Sequence, residues 1–575
     1  MKKLLPFLKK YKKYAILSPI VITVEVILEI FIPFLMSKII DVGIANNDMK
    51  YVLFIGGLMV VMALLSLACG ALAGRFAAVA AMGFAKNVRY ALFEKVQKFS
   101  FTNIDKFGTP SLITRLTTDI TNMQNVFMMM LRLMVRAPIM LISATSMAIY
   151  INARLSVIFF VALPIMAIAL SIIMSKAFPR FQEMLKKYDR LNSVVQENLT
   201  AIRVVKAYVR EDFEYEKFEV ATDQLRNTQK RAEKLVVVTM PLLQFVMYAC
   251  MISISWFGGN MIIGGTMKTG EFMSFISYVT QILMSLMMLA MVFVSLVISK
   301  ASVSRILELF NEEIDIEDNL NCNIQEAPVN GSVIFDHVSF SYGRDPKNLT
   351  LEDINLEIKT GETVGIIGGT GSGKSTLVQL IPRLYEVLSG RILVGSIDVR
   401  EYPTEALRKE VAMVLQKNML FTGTIKENLR WADSDASEQE IIEACKAACA
   451  HDFITTFPDG YDTELGQAGV NLSGGQKQRL CIARALIRKP KIIILDDSTS
   501  AVDTETDSKI RKALSERLKD TTVIIIAQRI ASVRDLDKII VMDEGRINGV
   551  GTHEELLESN MIYREVYQSQ KRGVS

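Results

Sequence analysis

Four uncharged runs constrain this chain more than any other feature. Val52–Ala73, Leu155–Met174, Leu235–Met267 and Phe272–Ser299 contain no Asp, Glu, Lys or Arg. A helix crosses a hydrocarbon core with about 20 residues, and each run is long enough. Two further apolar stretches carry some charge: Tyr14–Met36 with Glu25 and Glu29, and Phe127–Ile151 with Arg132 and Arg136 toward one end. The sequence therefore predicts six membrane-spanning helices, all before residue 300 of 575.

Lysine and arginine set the orientation, because cytosolic flanks keep them. Lys2, Lys3, Lys9, Lys10, Lys12 and Lys13 precede the first span, whereas Asp41–Lys50 is short and poor in such residues. Spans two and three are separated by a basic segment with Arg75, Lys86, Arg89, Lys95, Lys98 and Lys106, and spans four and five by one running from Lys176 to Lys234. Both are expected in the cytosol. Their polar helical pattern predicts that spans two to five run on beyond the bilayer as long helices. Both termini then lie on the cytosolic side, and no cleavable signal peptide is expected. The formal charge of +4, with basic segments beside the membrane, fits anionic lipid headgroups better than nucleic acid. The six cysteines show no paired spacing outside the membrane. Cys445 and Cys449, four apart, lack two further ligands for zinc and read as helix-face packing.

From Asn311 to Pro328 the chain is acidic and without periodicity, as a linker would be. Beyond Gly331, strand and helix patterns alternate. The expected organisation is an all-α six-helix transmembrane domain with two cytosolic extensions over residues 1–310, a linker over 311–330, and a soluble α/β domain over 331–575.

In the second domain, Gly368-Gly369-Thr370-Gly371-Ser372-Gly373-Lys374-Ser375 fits the pattern G-x-x-x-x-G-K-[ST]. Its glycine-rich backbone N–H groups cradle phosphates, Lys374 reaches the β/γ-phosphates, and Ser375 ligates Mg²⁺. Thr363–Ile367 before it reads as a strand and Ser375–Leu380 after it as a helix, the context the motif needs. Residues Gly368 to Thr376 are thus expected to bind ATP or GTP. Asp496 closes the apolar run Lys491–Leu495 and can hold Mg²⁺. Gln416 ends the run Val411–Leu415, and Tyr342 is placed to stack on an adenine. Leu472-Ser473-Gly474-Gly475-Gln476-Lys477-Gln478-Arg479 is a glycine-rich turn opening a helix, a second anion-binding geometry.

In this order, with Ser500-Ala501-Val502-Asp503 after them and six spans before, these residues resemble the half-transporters of the ATP-binding cassette exporters. The resemblance covers nearly the whole chain. It implies a dimer that sandwiches two ATP molecules, each between one chain's phosphate loop and the other's LSGGQ segment. Ser473, Gly475 and Gln476 would then act on the partner's nucleotide, and Gln416 would join Ser375 and Asp496 around Mg²⁺. It also implies that Ser100–Gly108 and Asn198–Tyr208 transmit motion by docking on nucleotide domains near Gln416; by spacing alone they also read as loop tips.

Two positions depart from the family pattern. After the Mg²⁺ aspartate the family carries Glu, which activates the attacking water; here the residue is Asp497. The family's switch histidine falls on Gln528, and His337, His451 and His553 lie elsewhere. Asp withdraws the carboxylate by more than about an ångström, and misplacement of that order costs about a hundredfold in rate. Gln cannot become cationic as imidazole can. This pairing resembles the degenerate subunit of bacterial heterodimeric multidrug exporters. The implied protein is a multi-pass subunit in the bacterial cytoplasmic membrane whose own site holds ATP and hydrolyses it poorly. A competent second half-transporter would be its partner, and an apolar or amphipathic small molecule its substrate. Lipid or peptide export, a homodimeric exporter, and a non-transporting ATP-gated regulator are the alternatives. Glu25 and Glu29, four apart on one helix face, read either as a lure for cationic substrates or as a structural pair. Among the 30 methionines, Met284, Met287, Met288 and Met291 recur at helical spacing on the last span. They suit a promiscuous cavity and equally an ordinary helix interface.

Overall fold

The long uncharged runs become helices, as their length requires. The computed structural model describes residues 2–318, 327–497, 503–517 and 520–572. Residues 319–326 of the expected linker, and Ser500, Ala501 and Val502 of the motif ending at Asp503, lie outside the described residues. The chain divides into two compact units, Met1–Lys95 with Pro110–Glu312, and Val96–Thr109 with Glu313–Ser575.

The first unit is built from helices α1 (Lys12–Lys38), α2 (Met49–Gln97), α4 (Ile120–Ile151), α5 (Ala153–Thr200), α6 (Glu211–Val237), α7 (Thr239–Ile263) and α8 (Thr269–Asn311). The short α3 (Phe101–Phe107) belongs to the second unit. Among the described residues, six helices are long and apolar enough to cross a membrane. At 49 and 48 residues, α2 and α5 far exceed the roughly 20 needed to span, so they run on past the apolar layer as expected. Leu235–Ile263 of the run Leu235–Met267 lies within one helical stretch, Glu211–Ile263, whose hydrogen bonding is interrupted only at Val238, a residue that keeps helical angles (φ −64°, ψ −21°). Pro241 lies three residues on, and its ring nitrogen cannot donate to the carbonyl of Val237.

Val26 and Ile30 of α1, Ala144 and Ala148 of α4, Phe159 of α5, and Phe275, Tyr278, Val279 and Ile282 of α8 share one buried cluster. The buried Tyr278 hydroxyl donates to the Ile30 carbonyl at 2.8 Å, so its polar tip is satisfied. The start of α8 rests on Asp41, whose two carboxylate oxygens accept from the N–H groups of Gly270 and Glu271 at 2.7 and 3.1 Å. That supplies acceptors to orphan donors and a negative charge to the positive helix end.

Glu25 and Glu29 both meet Arg136 of α4, the latter at 2.6 Å. The carboxylate pair is therefore tied to a protein cation within the spans, as the structural reading of the pair requires. Removing the cation alone leaves two partly buried carboxylates unpaired. Arg136→Gln should cost about 2–3 kcal/mol, at the low end for a buried pair because all three groups keep some exposure. It should lower the melting temperature of the purified protein by several degrees, and Glu25→Gln with Glu29→Gln added should recover most of the loss. Melting of Arg136→Gln at the unmodified temperature would show that the triad contributes nothing.

The second unit is α/β. A small sheet pairs β1 (Val333–Phe340) antiparallel with β2 (Leu351–Ile358) and β4 (Ser389–Val394). The larger sheet contains β3 (Thr363–Gly368), β5 (Val411–Val414), β6 (Ile492–Asp496), β7 (Thr522–Ile526), β8 (Lys538–Asp543) and β9 (Arg546–Gly551), in the order β9-β8-β3-β7-β6-β5. All its pairings are parallel except β8 with β9. β6 and β7 are buried at every position and read as continuous Ile/Val/Leu runs, as strands covered on both faces do. Strands β3, β6 and β7 therefore lie side by side, and their C-terminal ends bring Gly368, Asp496 and the residues after Ile526 to one edge. Ligands of open α/β sheets bind at that edge.

Helix α3 packs into this unit through the edge of the Phe101 ring on Tyr385, centroids 5.7 Å apart. The Tyr385 hydroxyl donates to Asp105 at 2.8 Å, and Asn103 donates to the Glu313 carbonyl at 2.9 Å. Within the second unit, Ser100–Gly108 thus meets Tyr385 and the backbone of Glu313 and Asp315. The second segment, Asn198–Tyr208, falls in the first unit, with Val204 and Tyr208 exposed.

Candidate nucleotide site

The phosphate loop leaves β3 at Gly368 and enters α9 (Lys374–Leu380) at Gly373. Two turns of the backbone require glycine. Gly371 has φ +85° and Gly373 φ +90°, a region that side chains with a Cβ rarely adopt. Lys374 folds its ammonium back on the loop, donating to the carbonyls of Gly368 and Gly369 at 2.8 and 2.6 Å. Burial lowers its pKa below the usual lysine range, partly offset by Asp496 and Asp497. The lysine is already held beside the curve of the loop, where a phosphate would replace carbonyls as its acceptor.

Ser375 donates to Asp496 at 2.9 Å, and Asp496 is only 2% exposed. Burial raises the Asp496 pKa, Asp497 adds to that, and the Ser375 bond and Lys374 oppose it. Two hard oxygens thus sit together at the end of β6. Among the described residues no group of three or more His, Cys, Asp or Glu could hold a metal unaided. A hydroxyl and one carboxylate suit Mg²⁺, which usually keeps several waters and takes its remaining ligands from substrate phosphates.

Asp497 follows directly, with a left-handed backbone (φ +47°) and its N–H bonded to the Ile526 carbonyl of β7 at 3.1 Å. Its carboxylate accepts from the Gln528 side-chain amide at 2.8 Å and also hydrogen-bonds the Gln416 side chain. Burial raises the Asp497 pKa, and those two amides and Lys374 oppose the rise. The structure therefore brings Lys374, Ser375, Gln416, Asp496, Asp497 and Gln528 into one connected group. Tyr342 lies just past β1, 44% exposed, its hydroxyl 2.9 Å from that of Thr376. Its ring meets the edges of Phe340 and Tyr385 at 4.9 and 5.1 Å. Those contacts brace it while leaving surface for a base.

Ser473 caps α10 (Gly474–Ile487) in a capping box: its N–H donates to the Gln476 side chain at 2.9 Å, and its hydroxyl accepts from the Gln476 N–H at 3.3 Å. Leu472 is buried, while Ser473 and Gly474 are exposed. Arg479 fixes the helix by donating to the Cys449 carbonyl at 2.8 Å and stacking 4.7 Å over Phe453. The positive end of a 14-residue helix is thus presented to solvent. Ser473 and Gln476 bond to each other, apart from the Lys374–Gln528 group.

The three histidines have partners of their own: Asp353 for His337, Tyr461 for His451 and Tyr563 for His553. Cys445 is buried in the core cluster, its thiol pushed up to about 12 by burial, while Cys449 lies past the end of the helix Glu438–Ala447 at φ +52°, so the two pack against one core but do not share a helix face. Two residues escaped the sequence reading. Tyr385 carries no motif signal. Gln570, whose side chain bonds the backbone at Gln528 and Ile530, does have one. It continues the helical stripe of Tyr563, Val566 and Tyr567 and is the polar member of it.

Comparison with known proteins agrees with this geometry. Residues 15–314 match the ABC transporter transmembrane region, and residues 351–500 match the ABC transporter family. The uncharacterized ABC transporter ATP-binding protein YfiB of Bacillus subtilis (strain 168) is 40% identical over 570 residues, covering 99% of this chain and 98% of its own. YgaD of the same strain, whose name assigns it provisionally to multidrug export as an ATP-binding/permease protein, is 32% identical over 588 residues, with 99% and 98% covered. The solved structure of a bacterial Atm1-family ABC exporter with ATP bound shares the fold, with a TM-score of 0.81, 24% identity and 98% of each chain covered. With its six apolar helices and its phosphate loop at the edge of a parallel sheet, the chain belongs to the ABC transporter family, as an ATP-hydrolysing transporter whose transmembrane and nucleotide-binding domains are fused.

Proposed function

We propose that this chain is one half of an ATP-driven efflux transporter for apolar or amphipathic small molecules, paired with a different, catalytically competent half-transporter. The observation that carries the pairing is the environment of Asp497. Its carboxylate is short by one methylene and is bound by two neutral amides, Gln528 and Gln416. No imidazole stands where the family places one. The binding apparatus from Gly368 to Thr376, with Tyr342, Ser375 and Asp496, is complete. This site therefore holds ATP with Mg²⁺ and turns it over slowly. When bound, Mg²⁺ neutralises phosphate charge; Ser375, Asp496 and Gln416 are the residues that would hold it. Ser473, Gly475 and Gln476, on an exposed helix start, would complete the partner's site.

The test is the ATPase rate of the purified chain alone and with its partner. A low rate alone and a high rate together support the arrangement, and a high rate from the lone chain overturns it. The name of YgaD and the shared exporter fold support efflux as the direction and drugs as one substrate class. Arg136 bonds both Glu25 and Glu29, so two acidic side chains share one cation beside a cavity of about 390 Å³ lined also by Ile32, Ser66, Gly70 and Ala71. Cationic dye efflux should therefore fall several-fold in Glu25→Gln or Glu29→Gln, with neutral dye efflux unchanged. Unchanged cationic efflux in both variants would reject the substrate role of the pair.

A further inference from the structure

Helix α11 (Met561–Arg572) is held to the second unit along one face. Tyr563 is fully buried in the larger core cluster, and Ile562, Val566 and Tyr567 pack against that cluster. Tyr563, Val566, Tyr567 and Gln570 follow the spacing i, i+3, i+4, i+7 of a single helix stripe. The Tyr563 hydroxyl lies 2.7 Å from His553 Nδ1, and the Tyr567 ring meets the His553 ring at 5.3 Å. The helix is thus fixed before its last turn, and that turn carries a glutamine where the stripe would otherwise be apolar.

Both ends of the Gln570 amide are used. Its Oε1 accepts from the Ile530 N–H at 2.9 Å, and its Nε2 donates to the Gln528 carbonyl at 2.7 Å. These backbone groups flank the loop that follows β7. The strand's own pairing ends there, with the Ala527 N–H on the Ile366 carbonyl at 3.2 Å. From this loop Gln528 reaches Asp497 at 2.8 Å. A single side chain from α11 therefore bonds the backbone on both sides of Arg529.

We propose that Gln570 is a positioning residue of the nucleotide site: through two backbone hydrogen bonds it holds the 528–530 loop so that Gln528 faces the γ-phosphate side of bound ATP. The inference rests on the reading of Gln528 as the residue at the family's switch position. It goes beyond that reading by making γ-phosphate recognition depend on a helix more than 30 residues further along the chain. Losing two hydrogen bonds of ordinary strength corresponds to about a tenfold change in an equilibrium constant. Only the nucleotide that carries a γ-phosphate should register it.

The test is equilibrium binding of ATP and of ADP, each with Mg²⁺, to the full-length chain in lipid nanodiscs. Gln570→Met keeps nearly the length and volume of the side chain and removes both bonds. It should weaken ATP about tenfold and leave ADP unchanged. Gln570→Glu keeps the acceptor for Ile530 but turns a carboxylate oxygen toward the Gln528 carbonyl, and should lose at least as much. Equal weakening of ATP and ADP in Gln570→Met would mean a structural role only and would overturn the proposal. A normal ATP-to-ADP ratio in Gln570→Met, with an altered ratio in Gln528→Ala, would overturn the clamp and leave the Gln528 reading standing. Normal ratios in both variants would overturn the two together.

Discussion

The variant carrying both Asp497→Glu and Gln528→His should hydrolyse ATP about a hundredfold faster than the unmodified chain when each is purified and assayed alone. The structure explains why both changes are needed. Asp497 sits at φ +47° directly after the buried Asp496, its backbone fixed to the end of β7, so the reach of the carboxylate is set by side-chain length alone. Glutamate restores the missing methylene. With Gln528 in place, however, the carboxylate still finds a neutral amide at the position where the family's imidazole could become cationic. Asp497→Glu alone should therefore fall short of full activity. The measurement is steady-state phosphate release from the lone chain. No gain in the double variant would remove these two positions as the cause of a slow site.

A single change in the other nucleotide-binding element should have an effect as large and opposite in sign. Gly475→Asp, in the transporter assembled with its partner, should cut ATPase activity to about one hundredth. Gly475 is the second residue of α10, at the helix's positive end. A carboxylate there is favourable for the helix itself, so unfolding does not account for the loss. In the proposed pairing the new charge would stand where the partner's nucleotide brings its phosphates, and would repel them. Lys374→Ala in the same chain disables only this chain's own phosphate loop and should leave much of the activity. Should the two variants lose activity to the same degree, the division of labour between the two sites is wrong.

How much of this was legible in the sequence depends on how far apart the interacting groups lie along the chain. The phosphate loop was legible because its conformation is local: two left-handed glycines, a strand before and a helix after, all within about twenty residues. The spans were legible because the requirement on them is only length and absence of charge. The carboxylates of Glu25 and Glu29 were legible as one helix face, but nothing in the sequence pointed to Arg136, more than 100 positions away, as their shared partner. The same holds for Asp105 with Tyr385, 280 residues apart. The interrupted hydrogen bond near Val238 had no signal in the run itself, because hydropathy does not register a backbone donor lost at Pro241. Gln570 falls between these cases. Its stripe is visible at helical spacing, but its partners are backbone groups, which carry no sequence signal at all.

Helix α5 has 48 residues, with Pro164 and Pro179 inside it, and at 1.5 Å per residue makes a rod about 72 Å along its path. A hydrocarbon core is only about 30 Å thick, so more than half of the rod lies outside it. Such a rod is a lever. If its cytosolic end is displaced and the helix stays straight, a tilt of about 5° moves one tip by about 6 Å relative to the other. That is roughly half the width of a helix with its side chains, so an angular change too small to disturb the packing of any one turn is enough to separate neighbouring helices. The work of opening a path through the bilayer can then be done by geometry, at a distance, without any polar group having to follow the motion into lipid.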